Sequence, residues 1–465
     1  VPVPVGQADN RDGPRLMCGM GAGKVVPRGD PLFFSYAYFE YVSRRSCASH
    51  LPYPSSQVVL LELARWLTPV FALPGTLNLI ALGVLTCMVA AAAIASLAMA
   101  LRVRLWARLL AGAACVLIIA DAAFFDVFAS PFSEPAALTG LLLVAAGVAF
   151  LGRSWRSTVL GLALAGTGGA LAILAKEQYL ILALPICLTL ILASADRTAG
   201  RGLRRYRTRQ TAAAAAVAAL LALMAGSYWA WQNTSHYGQR LQHIQAVDMI
   251  FTDIVTSRAA APAELRALGL PAGWAKYAGH YYWHPDSVRT DPLLPRYEPK
   301  LTDTNLAHYL LTHPGSIARI GQDAAIFAQQ FRVTALGDYP AAAGYPPHTV
   351  DSRVAVLTWL MHRLPPRLGL LWYLPLWTAM AAIAAAALFR RRKGWHRDGA
   401  VLVLCMTGCA VAAFIPPAYF AGISTTRHMV GTNLATALAL VVAIGLAASM
   451  IRPASRARAG SSGRR

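Results

Sequence analysis

Three groups of residues in this 465-residue chain could do chemistry, and the first is acidic. Asp9, Asp12 and Asp30 lie in ADNRDGPRLMCGMG and PRGDPLFF, Asp126 and Glu134 flank FDVFASPFSEP, and Glu177 lies in AKEQY. A carboxylate held beside a substrate hydroxyl can take its proton as the oxygen attacks, which is general-base work. Asn10, Asp12 and Gly13 make a tight-turn pattern that would present the Asp12 carboxylate. The plain alternative for each acid is a solvated loop carboxylate.

The second group is cationic. Arg427 and His428, in GISTTRHMVGTN, sit where a turn enters an apolar run, and Ser424, Thr425 and Thr426 could cap the helix that starts there. A helix start is itself an anion site, and a guanidinium meets phosphate oxygens in a two-pronged fork. The plain alternative is that Arg427 reaches out to lipid phosphate. Lys176, in LAKEQY, is a second candidate for the same phosphate and equally suited to pairing with Glu177.

The third group is His280, Trp283, His284 and Asp286 in HYYWHPD. Two histidines four apart could share a helix face as metal ligands would, but Pro285 should end any helix there. Aromatic rings beside polar side chains suit sugar or acceptor binding, so no metal ligand set is assigned. No nucleotide-loop glycine pattern is present. GAGK at 21–24 lacks the spacing, and GLALAGTGGA at 161–170 reads as a close helix-packing surface.

The elements that must position these groups are membrane helices. The chain is 56% apolar and 14% charged, with a mean hydropathy of +0.47. Soluble domains are about 25% charged. Nine apolar segments are long enough to cross as helices: 76–101, 107–124, 134–151, 157–175, 178–194, 211–231, 367–389, 399–417 and 429–449. The alternation of a β-barrel is missing. Segment 56–72 is apolar but carries Glu62 and Arg65, so an amphipathic helix lying at the interface is expected.

A net charge of +21 raises the question of nucleic acid. The arginines and lysines instead gather in every second connection between apolar segments and in the C-terminal tail, as the positive-inside rule requires of cytoplasmic loops. No nucleic-acid partner is expected. The chain then divides into an extracytoplasmic first loop with its interfacial helix (1–75), six spans (76–231), an extracytoplasmic, mostly helical cap (232–366), three spans (367–449) and a basic cytoplasmic tail (450–465). The stretch 232–363 carries 11 Arg/Lys against 10 Asp/Glu, nearly neutral as an exported segment can be. Placing residues 1–75 outside calls for a further membrane helix ahead of Val1; the alternative is that 56–75 crosses. Of seven cysteines, five lie in apolar stretches, whereas Cys18 and Cys47 share the polar first loop and could form a disulfide.

Acids in the first loop, FDVFASPFSEPAALTGLLLV opening a span, KEQY at a loop tip, a large insertion before the last spans and an Arg-His pair at the final helix together resemble the GT-C-type membrane glycosyltransferases. More narrowly, the layout over residues 8–449 is similar to bacterial hexose transferases of actinobacterial glycan biosynthesis. That resemblance implies an all-α polytopic bundle in a bacterial plasma membrane. It also implies an extracytoplasmic active site and inverting transfer of a hexose or pentose from a polyprenyl-phosphate donor to a glycan, lipid or protein acceptor. It makes Asp12 the catalytic acid, with Asp9 and Asp30 as alternatives. Arg427, Lys176 and His428 become donor-phosphate contacts, and Glu134, His280, Trp283 and His284 remain for sugar or acceptor. A divalent cation, Mg or Mn, bridging Asp12 and phosphate is compatible with this chemistry but not demanded by it. A transporter or flippase of a lipid-linked glycan, or an O-antigen-like polymerase or ligase, would share the multispan plan.

Overall fold

In hydrocarbon, an apolar run can satisfy its backbone polar groups alone only as a helix, and the apolar stretches of this chain are helical. The computed structural model describes residues 3–10, 12–24, 34–44, 54–101, 103–151, 154–195, 204–255, 257–365, 367–389, 395–422 and 425–451. Asp30, Cys47 and the basic tail beyond 451 lie outside them. The first loop holds α1 (Gly13–Gly19) and α2 (Gln57–Val70) beside a small antiparallel sheet of β1 (Ala22–Lys24), β2 (Glu40–Ser43) and β3 (Leu77–Asn78). Ala22 faces Ser43 and Tyr41 faces Leu77. Among the described residues this sheet is the departure from an all-α chain. Its glycine-broken runs are too short to nucleate a helix.

The first part of the bundle is α3 (Leu79–Ala100), α4 (Leu105–Ala120), α5 (Ala122–Phe128), α6 (Glu134–Phe150), α7 (Trp155–Ile173), α8 (Ala183–Ala195) and α9 (Arg204–Thr234). The insertion carries α10 (His236–Asp248), α11 (Ala261–Ala267), α12 (Leu294–Tyr297), α13 (Asp303–Thr312), α14 (Pro314–Gln329) and α15 (Val356–Arg363). It has its own core around Phe251, Trp274, Tyr277 and Tyr309. The bundle resumes with α16 (Leu370–Phe389), α17 (Trp395–Tyr419), α18 (Thr425–His428) and α19 (Val430–Ile451). Among the described residues six helices, α3, α7, α9, α16, α17 and α19, are long and apolar enough to cross a membrane, or seven if the bent pair α4–α5 is one span. Glu134–Phe150 and Glu177–Ala193 are apolar but shorter. The protein is a multi-pass membrane protein.

Two local features shape the end of the bundle that meets the insertion. α4 and α5 meet at 68°, and buried Asp121 holds the break. Its Oδ1 accepts from the Ala123 amide at 3.1 Å and the Thr358 hydroxyl at 2.7 Å, while Oδ2 accepts from the Leu357 amide at 2.7 Å. One carboxylate thus caps the starts of α5 and α15 and ties the bend to the insertion. α6 and α7 touch through their glycines: a Cβ on Gly140 would lie 2.5 Å from the Gly168 carbonyl oxygen, and one on Gly147 would lie 2.6 Å from that of Gly161. The glycine-rich stretch is therefore a backbone-to-backbone crossing.

α2 leaves Val59, Leu63, Trp66 and Val70 exposed along one face and buries Leu60, Leu61 and Ala64 on the other. Its 14 residues reach about 21 Å, short of the ~30 Å hydrocarbon layer. Arg65 pairs with Glu62 at 3.1 Å and donates to the Met20 carbonyl at 2.7 Å. Cys18 is disulfide-bonded.

Candidate functional site

Four segments distant in sequence meet at one end of the bundle. The Asp9–Gly13 turn comes from the first loop, and Asp12 is the N-cap residue of α1. Glu134 is the first residue of α6, Lys176 precedes the 3₁₀ turn Glu177–Leu182, and Arg427 and His428 occupy α18. Arg427 Nη2 donates to Asp12 Oδ2 at 2.5 Å, and Nη1 donates to Asn10 Oδ1 at 3.1 Å. Asn10 Oδ1 also accepts the Asp12 amide at 3.2 Å, which closes the turn. Arg427 Nε and Lys176 Nζ approach Glu134 Oε1 at 3.7 and 3.9 Å. The guanidinium lies over the Phe132 ring, 4.5 Å from its centre.

His428 joins the two cations. Its Nε2 is 2.9 Å from Lys176 Nζ and 3.1 Å from an Arg427 nitrogen. Both neighbours are donors only, so Nε2 accepts and the ring is neutral. Burial, reinforced by the charges of Lys176 and Arg427, holds its pKa well below the ordinary histidine value. Partial burial alone would raise the Asp12 carboxyl, but Arg427, Lys176 and Arg15 outweigh it and pull the pKa down to about 2. Arg427, Lys176 and Arg15 against Asp12 and Glu134 leave one positive charge in excess.

The acids read from sequence fall into different environments. Asp12 keeps a side chain 38% exposed, whereas that of Asp9 is 1% exposed and paired with Lys24 at 2.9 Å. Asp9 also accepts the Gly13 amide at 3.0 Å, so it shapes the turn that carries Asp12. Asp30 lies outside the described residues. Glu134 is buried between Lys176 and Arg427, where it balances their charge. His280, Trp283 and His284 form a separate group on the insertion. The two imidazoles stack at 4.0 Å in a run of turns, not along a helix, and Arg289 lies over the Trp283 ring at 5.4 Å.

The first loop and the bundle that build this site, together with the insertion, fall within one family match covering residues 1–460, to the model described as YfdI N-terminal transmembrane domain. The chain belongs to that family. No curated protein and no solved structure matches it significantly.

In this family member a second polar cluster adjoins the first, and only one of its four charged residues was visible in sequence. Arg332, just after α14, donates to Asp126 Oδ2 at 2.9 Å, to Asp338 and to the Asp351 carbonyl. Asp351 also receives the Tyr339 hydroxyl at 2.8 Å. Asp126 stands out in FDVFASP, but Arg332, Asp338 and Asp351 lie in irregular stretches of a nearly neutral insertion and carry no motif. The oxygen donors of this cluster, Asp12, Glu134 and Asn10, are each already engaged by a basic side chain. Among the described residues no group of three His, Cys, Asp or Glu side chains comes together as a metal site.

Proposed function

We propose that the protein is an inverting, GT-C-type membrane glycosyltransferase. It takes a sugar from a polyprenyl-phosphate donor and passes it to a cell-envelope glycan, lipid or protein acceptor on the extracytoplasmic face of a bacterial plasma membrane. The observation that carries this reading is the meeting of Asp12, a partly exposed carboxylate, with Arg427 at 2.5 Å, beside Lys176 and at the mouth of the bundle. A carboxylate and a guanidinium so placed are what sugar transfer from a phosphodiester needs. The excess positive charge of the cluster matches the single negative charge of that diester, whose prenyl chain can stay among the helices.

The donor phosphate draws Arg427 and Lys176 toward its oxygens. Asp12 then loses its strongest partner and its proton affinity rises from the value that gave it a pKa of about 2. The acceptor hydroxyl attacks the anomeric carbon, its proton passes to Asp12, and the bond from that carbon to the phosphate oxygen breaks. The electron pair leaves with polyprenyl phosphate, whose charge the two cations stabilise. His428, neutral and accepting from both cations, holds them in register.

The test is to supply the purified chain in lipid nanodiscs with labelled polyprenyl-phosphate hexoses and membrane acceptors, then follow free polyprenyl phosphate. Its release together with labelled acceptor supports the reading. Movement of an intact donor across a sealed membrane, or consumption only of preassembled oligosaccharides, sinks it.

A further inference from the structure

A cleft beside the cation cluster is lined by polar groups of which the reaction above uses only Arg427. Gln7 comes from the first loop, Asp126 from α5, Arg332 from the stretch after α14, and Thr426 and Arg427 from α18, with Phe331 and Val430 among its apolar walls. Gln7 is held in place by main-chain pairing on either side: the Gly6 amide donates to the Asp338 carbonyl at 3.0 Å and the Ala8 amide to that of Gly337 at 2.8 Å. The Gln7 residue is 5% exposed, and its Oε1 has no hydrogen-bond partner. Asp126, by contrast, is matched within the protein, to Arg332 through Oδ2 at 2.9 Å and to the Asp338 carboxyl. A buried acceptor left unmatched is costly, so Gln7 Oε1 beside a cleft marks a place where a donor group belongs.

Size and charge narrow the donor. The cleft has room for about one oxygen-sized group. Two guanidinium groups on its wall disfavour an ammonium or metal cation, and an anion has no proton to give Gln7 Oε1. A neutral hydroxyl satisfies both conditions, its hydrogen going to Gln7 Oε1 and its lone pairs facing Arg332 and Arg427. Arg427 also belongs to the phosphate site of the proposed transferase, and the sugar of a glycosyl phosphate begins one bond beyond its phosphate. Resting on that reading, we infer that this cleft receives one hydroxyl of the donor sugar and that Gln7 is a specificity-determining residue for it.

The experiment measures binding of a polyprenyl-phosphate hexose and of its analogues lacking one hydroxyl at a time. The wild-type protein and Gln7→Leu are compared in nanodiscs, with Val430→Ile as a second variant that fills the cleft without touching a polar group. For wild type, one deoxy analogue should bind about tenfold or more weakly than the parent. In Gln7→Leu that gap closes, and in Val430→Ile it narrows because the parent alone loses affinity. If the parent binds and is consumed but each analogue shows the same relative affinity in all three proteins, the subsite is wrong while the transferase reading stands. If no polyprenyl-phosphate sugar binds or is consumed, both fall together.

Discussion

Arg427 Nη2 lies 2.5 Å from Asp12 Oδ2 across 415 positions of sequence, and this contact joins the first loop to the start of the last helix. It sets the resting state of the site. The carboxylate is partly accessible but held by a cation that depresses its proton affinity, so a ligand that competes for the guanidinium makes Asp12 a stronger base. The following outcomes are expected from this arrangement and from the packing around it.

Asp12→Asn should lower single-turnover transfer by at least about 100-fold, the scale of a lost general base, while the parent donor still binds. Asp9→Asn should act differently, because it removes the buried carboxylate that pairs with Lys24 at 2.9 Å. A stability loss on the order of 3 kcal/mol is expected, with transfer per folded molecule retained. Single-turnover rates alongside thermal unfolding separate the two, and an Asp12→Asn protein with normal transfer would remove Asp12 from the chemistry.

The Asp12–Arg427 pair also predicts an acid limb in the stability curve. The folded carboxyl titrates at about 2, below its ordinary 3.8. Its contribution is therefore complete above about pH 4 and is lost as pH falls through about 2. Asp12→Asn should flatten the curve in that window. Superimposable denaturation profiles for the two proteins would contradict the assigned ion pair.

Asp248, in the insertion, should show the opposite sign. Burial pushes its carboxyl up to about 7, although the Tyr282 amide donates to it. The folded state therefore binds the extra proton between about pH 4 and 7, and stability falls as pH rises through that range, by up to ~1.4 kcal/mol per pH unit. Asp248→Asn, which can keep the amide acceptor, should reduce this slope by one group's share, since burial also pushes Asp253 up to about 7 and Asp303 to about 6, and should stabilise the protein above neutrality. Denaturation of the two proteins at a series of pH values gives the comparison; a slope unchanged in the variant would rule Asp248 out as its source.

The crossing of α6 and α7 should tolerate no side chain at its glycines. A Cβ on Gly168 would stand 2.6 Å from the Gly140 carbonyl oxygen, whereas one on Gly226 in α9 meets nothing within 4 Å. Gly168→Ala should cost about 1–3 kcal/mol. Gly226→Ala should be neutral or slightly stabilising, since alanine is the better helix former. Equal melting temperatures for the two variants would argue against backbone contact at that crossing.

Much of the architecture was legible residue by residue. Uncharged runs such as 79–100 and 430–450 must be helices because hydrocarbon offers their amides no other partner. GLALAGTGGA could be read as a packing face because glycine adds nothing there except proximity. Asn10, Asp12 and Gly13 betrayed a turn, since a short polar side chain followed by glycine bends the chain locally. The small sheet was not legible, because two- to four-residue strands carry too little pattern to distinguish them from loop.

Charge and hydropathy, which are local properties, let the sequence by itself determine that the chain crosses a membrane repeatedly and which acids and cations were available. Pairing among those groups depends on where distant segments meet. Only the tertiary structure decided that Asp12 rather than Asp9 keeps an accessible carboxylate, and that Glu134 is buried as a counter-charge between Lys176 and Arg427. It alone brought Arg332 to Asp126 across 206 residues. The Coulomb attraction behind each choice acts over a few ångströms, a distance that spacing along the chain does not encode.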